Sequence, residues 1–355
     1  MNLNKWKGII IFIFTILVGI CFYFCFINNN NLTKQSDYLI YNPYKNVDFS
    51  NVNHFKANLH THTTESDGSS SPSDVIYQYA NVGNYDILAI TDHNLNTWPW
   101  SDWISEKPDL TSSSSEYYSN LDILAISANE PSVSHHHGSF LSDYLGNGSN
   151  LEDTFQYYIN HNNLSIFYHP GRYNYEVDWY NNYYDKYNII GQEAYNQGDK
   201  YSKGRELWDK INSQRSPDKL IWGFSNDDMH NVSSHAFRNY QHFLMNSLEE
   251  EEFRKAMING AFYSSYEYDG ANSLSSSYGQ AKTPILTDVA ITDSIIQISG
   301  ENYDSIKWYD NTTNIVGDGN FIDVSNIDSN FVRAVLENSY GLTYTQPFGY
   351  EQISL

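Results

Sequence analysis

The stretch NLHTHTTESDG, residues 58–68, sets His60 and His62 one residue apart and Asp67 five residues later, directly after a short apolar run. Strand side chains at i and i+2 point to the same face, so the two imidazoles would stand together. Imidazole is costly to bury without a partner, and a pair on one face suits a pair of metal ligands. A polar loop that happens to hold histidine is the alternative. The design recurs along the chain: YDILAITDHN carries His93 at its tip, LDILAISANE ends on Glu130, LSIFYHPGR holds His169, and KLIWGFSNDDMH carries Asp228 and His230. One such residue could be a satisfied structural polar group. Eight on one rim would crowd carboxylates and desolvated imidazoles together, which is unfavourable unless cations neutralise them. The imidazole and carboxylate set suits Zn, Mn or Fe.

The elements that must position these groups alternate in type. Between the strand-like runs lie helical ones: SPSDVIYQYANVGN has a Ser-Pro start and apolar spacing, and SLEEEEFRKAMING is a second case. NIIGQEAYN is a further strand, ending on Glu193 and Asn196. Strands alternating with helices imply an α/β fold with parallel pairing. At least six strands with polar C-terminal ends suggest a barrel with one active face. Ser112–Ser115 reads as a flexible insertion. After Pro284 the runs SIIQISG, SIKWYDN, NFIDVSN and FVRAVLEN are short strands separated by Asn, Asp and Gly turns, which predicts a small antiparallel β domain. The expected organisation is 1–32 anchor or signal segment, 33–54 linker, 55–283 barrel and 284–355 β domain.

With 355 residues and a net charge of −22, the chain is long enough for a substantial core and too acidic for a broad basic face that grips nucleic acid. Its two cysteines, Cys21 and Cys25, both lie in the N-terminal apolar run, so any metal site elsewhere must use His, Asp and Glu. That run, Ile9–Ile27, carries no charge, follows Lys5 and Lys7, and is about long enough to cross a bilayer. It predicts an N-terminal transmembrane helix contacting the lipid bilayer, with everything after it outside the cytoplasmic membrane. A cleaved signal, giving a secreted protein, is the rival reading.

HTHTTESDG, ITDHN, the Asn129-Glu130 pair, YHPGR and DDMH match, in order, the motifs of the PHP (polymerase and histidinol phosphatase) superfamily of phosphoesterases, over roughly residues 55–270. The tail FVRAVLEN…TYTQPF also resembles the C-terminal extension of some PHP-domain proteins. The resemblance implies a distorted seven-stranded β/α barrel with up to three metals at the strand C-terminal ends. It implies that His60, His62, Glu130 and Asp228 hold the first ion. Glu130 would bridge to a second, completed by His169 and one histidine of SHHHGSF; Asp67, His93 and His230 would hold a third. The family's spacing to the apolar pair, here Phe140 and Leu141, implies His137 as that histidine, with His136 a close rival and His135 exposed. His54, His161, His235 and His242 match no motif and read as surface or packing residues. Asp92 and Asp227 read as groups that orient ligands.

The chemistry so implied is hydrolysis of a small phosphomonoester or phosphodiester by a metal-activated water. Arg172, two residues past Pro170, could fork onto a phosphoryl group or form a surface ion pair; Lys56 is a less supported second cation. A nuclease acting on nucleic-acid ends and a non-catalytic, metal-stabilised surface binding protein are the alternatives. No protein partner is evident.

Overall fold

A computed structural model describes residues 37–100, 117–118, 121–145, 150–268 and 283–353; the Ser112–Ser115 insertion lies outside them. The predicted strands form where the apolar runs are. β1 is Tyr38–Tyr41, β2 Asn53–Asn58, β3 Ile87–Ala89, β4 Tyr117–Tyr118, β5 Ile123–Ile126, β6 Ala128–Asn129, β7 His137–Phe140, β8 Leu164–Phe167, β9 Ile189–Asn196, β10 Trp222–Asn226, β11 Asn239–Met245 and β12 Phe262–Glu267. Strands β2, β3 and β5 pair in parallel, as do β8, β9 and β10. Antiparallel β7, β11 and β12 extend the two sets into mixed sheets. Ala57, Leu59, Ile87, Ala89, Leu124, Ile126, Ile166 and Phe224 meet in the core between them.

Helices cover the outside. The one at Pro72–Tyr77 starts as its sequence predicts: the Ser71 hydroxyl accepts the Asp74 amide and Pro72 occupies the first turn. The Glu250–Asn259 helix ends on Gly260 at φ +70, a left-handed position that favours glycine. Helices Leu151–His161, Val177–Lys186 and Lys203–Arg215 flank the second sheet.

The expected closed barrel does not form. The backbone ladder divides into separate sheets, with β2, β3 and β5 in one and β6–β10 in another. Side chains take over where a ladder would close the ring: Gln241 Oε1 of β11 accepts the Ser225 amide of β10, and Asn226 Oδ1 accepts the Leu59 amide. Beyond the strand tips the isolated bridges Thr61–Met229 and His93–Glu130 join neighbours. Polar side chains at β10 thus substitute for backbone pairing, and hydropathy carries no signal of that.

The transmembrane helix also needs correction. No helix among the described residues is long and apolar enough to cross a membrane, and Ile9–Ile27 lies outside them. The single-pass topology, the bilayer as partner, and display or secretion of the catalytic part outside the cytoplasmic membrane rested on that run and find no support among the described residues. In the stretch read as linker, β1 is a regular strand paired with Phe348–Gln352, and Tyr44 is buried. The eight strands from Ile285 to Gln352 pair antiparallel to one another, and Gly341–Tyr344 also pairs with β12.

Candidate metal centre

Every strand tip singled out by sequence meets at one place. His60 Nε2 lies 3.2 Å from Glu130 Oε2 and 3.3 Å from Asp228 Oδ1; His62 Nε2 lies 3.1 Å and 3.4 Å from the same two atoms. All four are buried, and none has a hydrogen-bond partner: they crowd together without lining up to bond. Ligand atoms about 2.0–2.1 Å from a tetrahedral ion stand about 3.3 Å apart. Four of the six edges of such a tetrahedron are therefore present, and orphaned buried polar atoms of this kind call for a cation.

Two further clusters adjoin it. Glu130 Oε1 faces His136 Nδ1 at 2.8 Å and His169 Nε2 at 3.2 Å, so the two oxygens of one carboxylate look into two neighbouring pockets. Asp67 lies within 3.3–3.6 Å of nitrogens of His62, His93 and His230. These His, Asp and Glu clusters are consistent with two or three divalent ions. Asp67 is half exposed, whereas His60, His62 and Glu130 are fully buried; the centre opens on its Asp67 side.

The electrostatics follow from burial and crowding. Burial disfavours a charged His60, but the carboxylates of Asp228, Glu130 and Glu193 outweigh it and raise its pKa well above the usual value. His62 is likewise raised to about 9 against burial, by the Asp228 and Glu130 carboxylates beside it. Burial would raise Glu130, yet His60 and the bonds from His136 and His169 hold it well below the ordinary carboxylate range. The pocket thus keeps its carboxylates ionised and demands positive charge, from protons or from metal.

The loop NLHTHTTESDG is held by groups other than the ligands. Asp92 accepts from the Thr63 amide, the Thr63 hydroxyl, Ser66 and Thr97, all at 2.6–2.7 Å. Asp227 accepts from Tyr79 and from the amides of Phe237, Arg238 and Asn239. Both brace loops and neither orients an imidazole. A Cβ on Gly68 would meet the His62 carbonyl at 2.5 Å, so the loop closes onto itself only with glycine there.

The triple histidine resolves differently from the spacing argument. His136 faces Glu130, while His137 Nε2 meets the Tyr158 hydroxyl at 3.0 Å on the other side. His136 precedes β7 and turns toward Glu130, whereas His137, the first residue of β7, turns toward Tyr158. His135 is buried, not exposed; it stacks on Tyr173 at 4.0 Å and meets the Tyr180 hydroxyl at 2.9 Å. Arg172 sits exposed on the Pro170–Arg172 turn, three residues past His169, with no carboxylate in ion-pair reach among the described residues. Lys56 is half-buried between the rings of Tyr85 and Tyr240, away from the metal cluster. Glu193, which sequence reading marked only as a strand end, lies 2.9 Å from His60 Nδ1.

No protein-family model matches this chain, and no curated protein matches it in sequence. Among solved structures it is similar to a two-domain protein from Bacteroides vulgatus containing a predicted PHP-like metal-dependent phosphoesterase. The two share 16% identity over 85% of this chain and 96% of that one, with a TM-score of 0.51. The fold is PHP-like. A lesion-specific endonuclease from Pyrococcus furiosus aligns at 16% identity over 58% of this chain and 56% of that one, TM-score 0.43. An amidohydrolase from Chromobacterium violaceum aligns at 15% over 50% and 89%, TM-score 0.38. On the PHP-like fold of this chain, the metal cluster lies just past the C-terminal ends of β2, β3, β8 and β10, where α/β folds place their sites.

Proposed function

We propose that this protein is a PHP-type phosphoesterase that hydrolyses a small phosphomonoester or phosphodiester with water activated at a polynuclear metal centre. The observation that carries this reading is the convergence of His60 Nε2, His62 Nε2, Glu130 Oε2 and Asp228 Oδ1, buried and without hydrogen-bond partners. The similarity to a structure containing a predicted PHP-like phosphoesterase supports it.

His60, His62, Glu130 and Asp228 would hold the first ion; Glu130, His136 and His169 the second; Asp67, His93 and His230 the third. Divalent ions there would supply Lewis-acid polarisation of a phosphoryl oxygen and a hydroxide nucleophile near neutral pH. Glu130, reaching two pockets with its two oxygens, sets their spacing. The half-exposed Asp67 side admits the ester. Arg172, unpaired with any carboxylate among the described residues, takes phosphoryl oxygens in its planar fork. The net charge of −22 disfavours a nucleic-acid substrate.

A substrate panel tests the reading. With Mn2+ or Zn2+ supplied, nitrophenyl phosphate mono- or diesters should turn over, and nitrophenyl carboxylic esters and anilides should not. Turnover of anilides alone would replace this reaction with amide hydrolysis.

A further inference from the structure

Glu193 lies on β9, between β8 and β10 of the second sheet and opposite Phe224 of β10, and is buried. Three N–H donors and one imidazole nitrogen converge on its two oxygens. Oε1 receives Asn226 Nδ2 at 2.9 Å and faces His60 Nδ1 at 2.9 Å. Oε2 receives the His169 amide at 2.6 Å and Asn196 Nδ2 at 2.8 Å. The Asn226 orientation is fixed independently, because its Oδ1 already accepts the Leu59 amide and Gln241 Nε2. A carboxylate surrounded by donors can only accept, so His60 must carry its proton on Nδ1. Nε2 then faces Glu130 and Asp228, and it is the nitrogen whose lone pair an ion would take. Tyr168 stacks on the same imidazole at 3.6 Å and 14°, its hydroxyl tied to the Leu59 carbonyl, so the ring cannot turn over.

The second contact acts on backbone. His169 sits at φ +30, ψ +55, a left-handed conformation costly for a residue with a Cβ. The Glu193 bond to its amide holds it there, and that conformation presents His169 Nε2 to Glu130 Oε1. One carboxylate thus fixes a side chain facing the first ion pocket and a main chain serving the second.

We propose that Glu193 is a positioning residue that selects the metal-ready tautomer of His60 and pins His169, so that the first two ion sites are pre-formed and fill as a pair. The proposal rests on the metal-centre reading above. Glu193→Gln is the informative change. Its amide group would turn an N–H toward two of the four donors and favour the His60 tautomer with the proton on Nε2, where it blocks the ion.

The experiment has two parts. Zn2+ is titrated into the metal-stripped full chain against a competing chelator, for wild type, Glu193→Gln and Glu193→Asp. Two of the sites in Glu193→Gln should weaken about 10- to 100-fold, Glu193→Asp should recover part of that, and any third site should keep its affinity. Superimposable curves for wild type and Glu193→Gln would overturn the proposal. The second part needs no variant. The imidazole 15N spectrum of metal-free wild type should show His60 with Nδ1 protonated and tied to a carboxylate; a His60 protonated on Nε2 alone would overturn the proposal even if Glu193→Gln fails to fold. Wild type that binds no Zn2+, with His60 still protonated on Nδ1, would instead remove the metal-centre reading, and the pairing of sites with it.

Discussion

His136 and His137 are neighbours in sequence, yet their imidazoles face different partners, His136 Nδ1 at 2.8 Å from Glu130 and His137 Nε2 at 3.0 Å from the Tyr158 hydroxyl. The two should therefore fail differently. His136→Ala should lower metal content while leaving the thermal melt of the metal-free protein near wild type. His137→Ala should retain the metal and lose about 1–3 kcal/mol of stability, since it leaves a buried hydroxyl unpaired. Metal analysis beside denaturant unfolding separates them; the reverse pattern would place His137 in the centre.

Gly68 predicts a second defect. A methyl group at this position meets the His62 carbonyl and the Thr63 amide at 2.5–2.7 Å, both backbone. Gly68→Ala should cost about 1–3 kcal/mol as the loop is forced open, and should weaken metal binding through His62 and Asp67. An unchanged melting temperature would show that the loop yields freely.

Lys56 gives a pH dependence. Burial lowers its pKa to about 8, against the pull of Glu267, Asp227 and Asp86. An unfolded lysine titrates near ~10.4, so between the two values the unfolded chain binds more protons. Stability from this group therefore rises with pH across that window, by on the order of 2–3 kcal/mol, and the cost is fully present below about pH 8. Wild type should gain on Lys56→Met between pH 8 and 10 in urea unfolding. A constant difference between the two would mean the flanking Tyr85 and Tyr240 rings keep the ammonium charged throughout.

Arg172 separates a phosphate contact from surface decoration. Arg172→Ala should leave metal content and melting temperature intact and cost on the order of 2–4 kcal/mol in kcat/KM for a phosphate ester, appearing in kcat if the contact tightens in the transition state. Arg172→Lys should recover only part, because a point charge does not reproduce the fork. Wild-type turnover in Arg172→Ala would take the residue out of the reaction.

Much of the site was legible because strand physics is local. An apolar run ending on His, Asp or Glu places that group at a strand tip, and parallel strands bring their tips together, which is why His60, His93, Glu130, His169 and Asp228 could be read as one rim. A single residue separates His136 from His137, and it is His136 that turns toward Glu130; distance to the next apolar pair does not report which way a side chain turns. Glu193 was harder: its role lies in four donors contributed by residues as far apart as His60 and Asn226, which no window of sequence contains. Ring closure was illegible for the same reason, since Gln241 and Asn226 do with side chains what a backbone ladder would have done. His135 was read as exposed because three histidines look like a surface tract; its aromatic surroundings, Tyr173, Trp179 and Tyr180, come from further along the chain.

On the proposed function, His60, His62, Glu130 and Asp228 hold an ion on which phosphate-ester hydrolysis depends. The direct measurement strips the full chain of metal, restores Mn2+ or Zn2+ stepwise, and at each step counts bound ions by elemental analysis and records turnover of a nitrophenyl phosphate, for wild type and Glu130→Gln. The stripped protein should be inactive, and wild-type turnover should rise with occupancy and level off at two or three ions per chain. Glu130→Gln, which removes the charge facing two pockets, should lose both those ions and turnover together. Turnover that persists in the stripped protein, or an unchanged ion count in Glu130→Gln, would contradict the account.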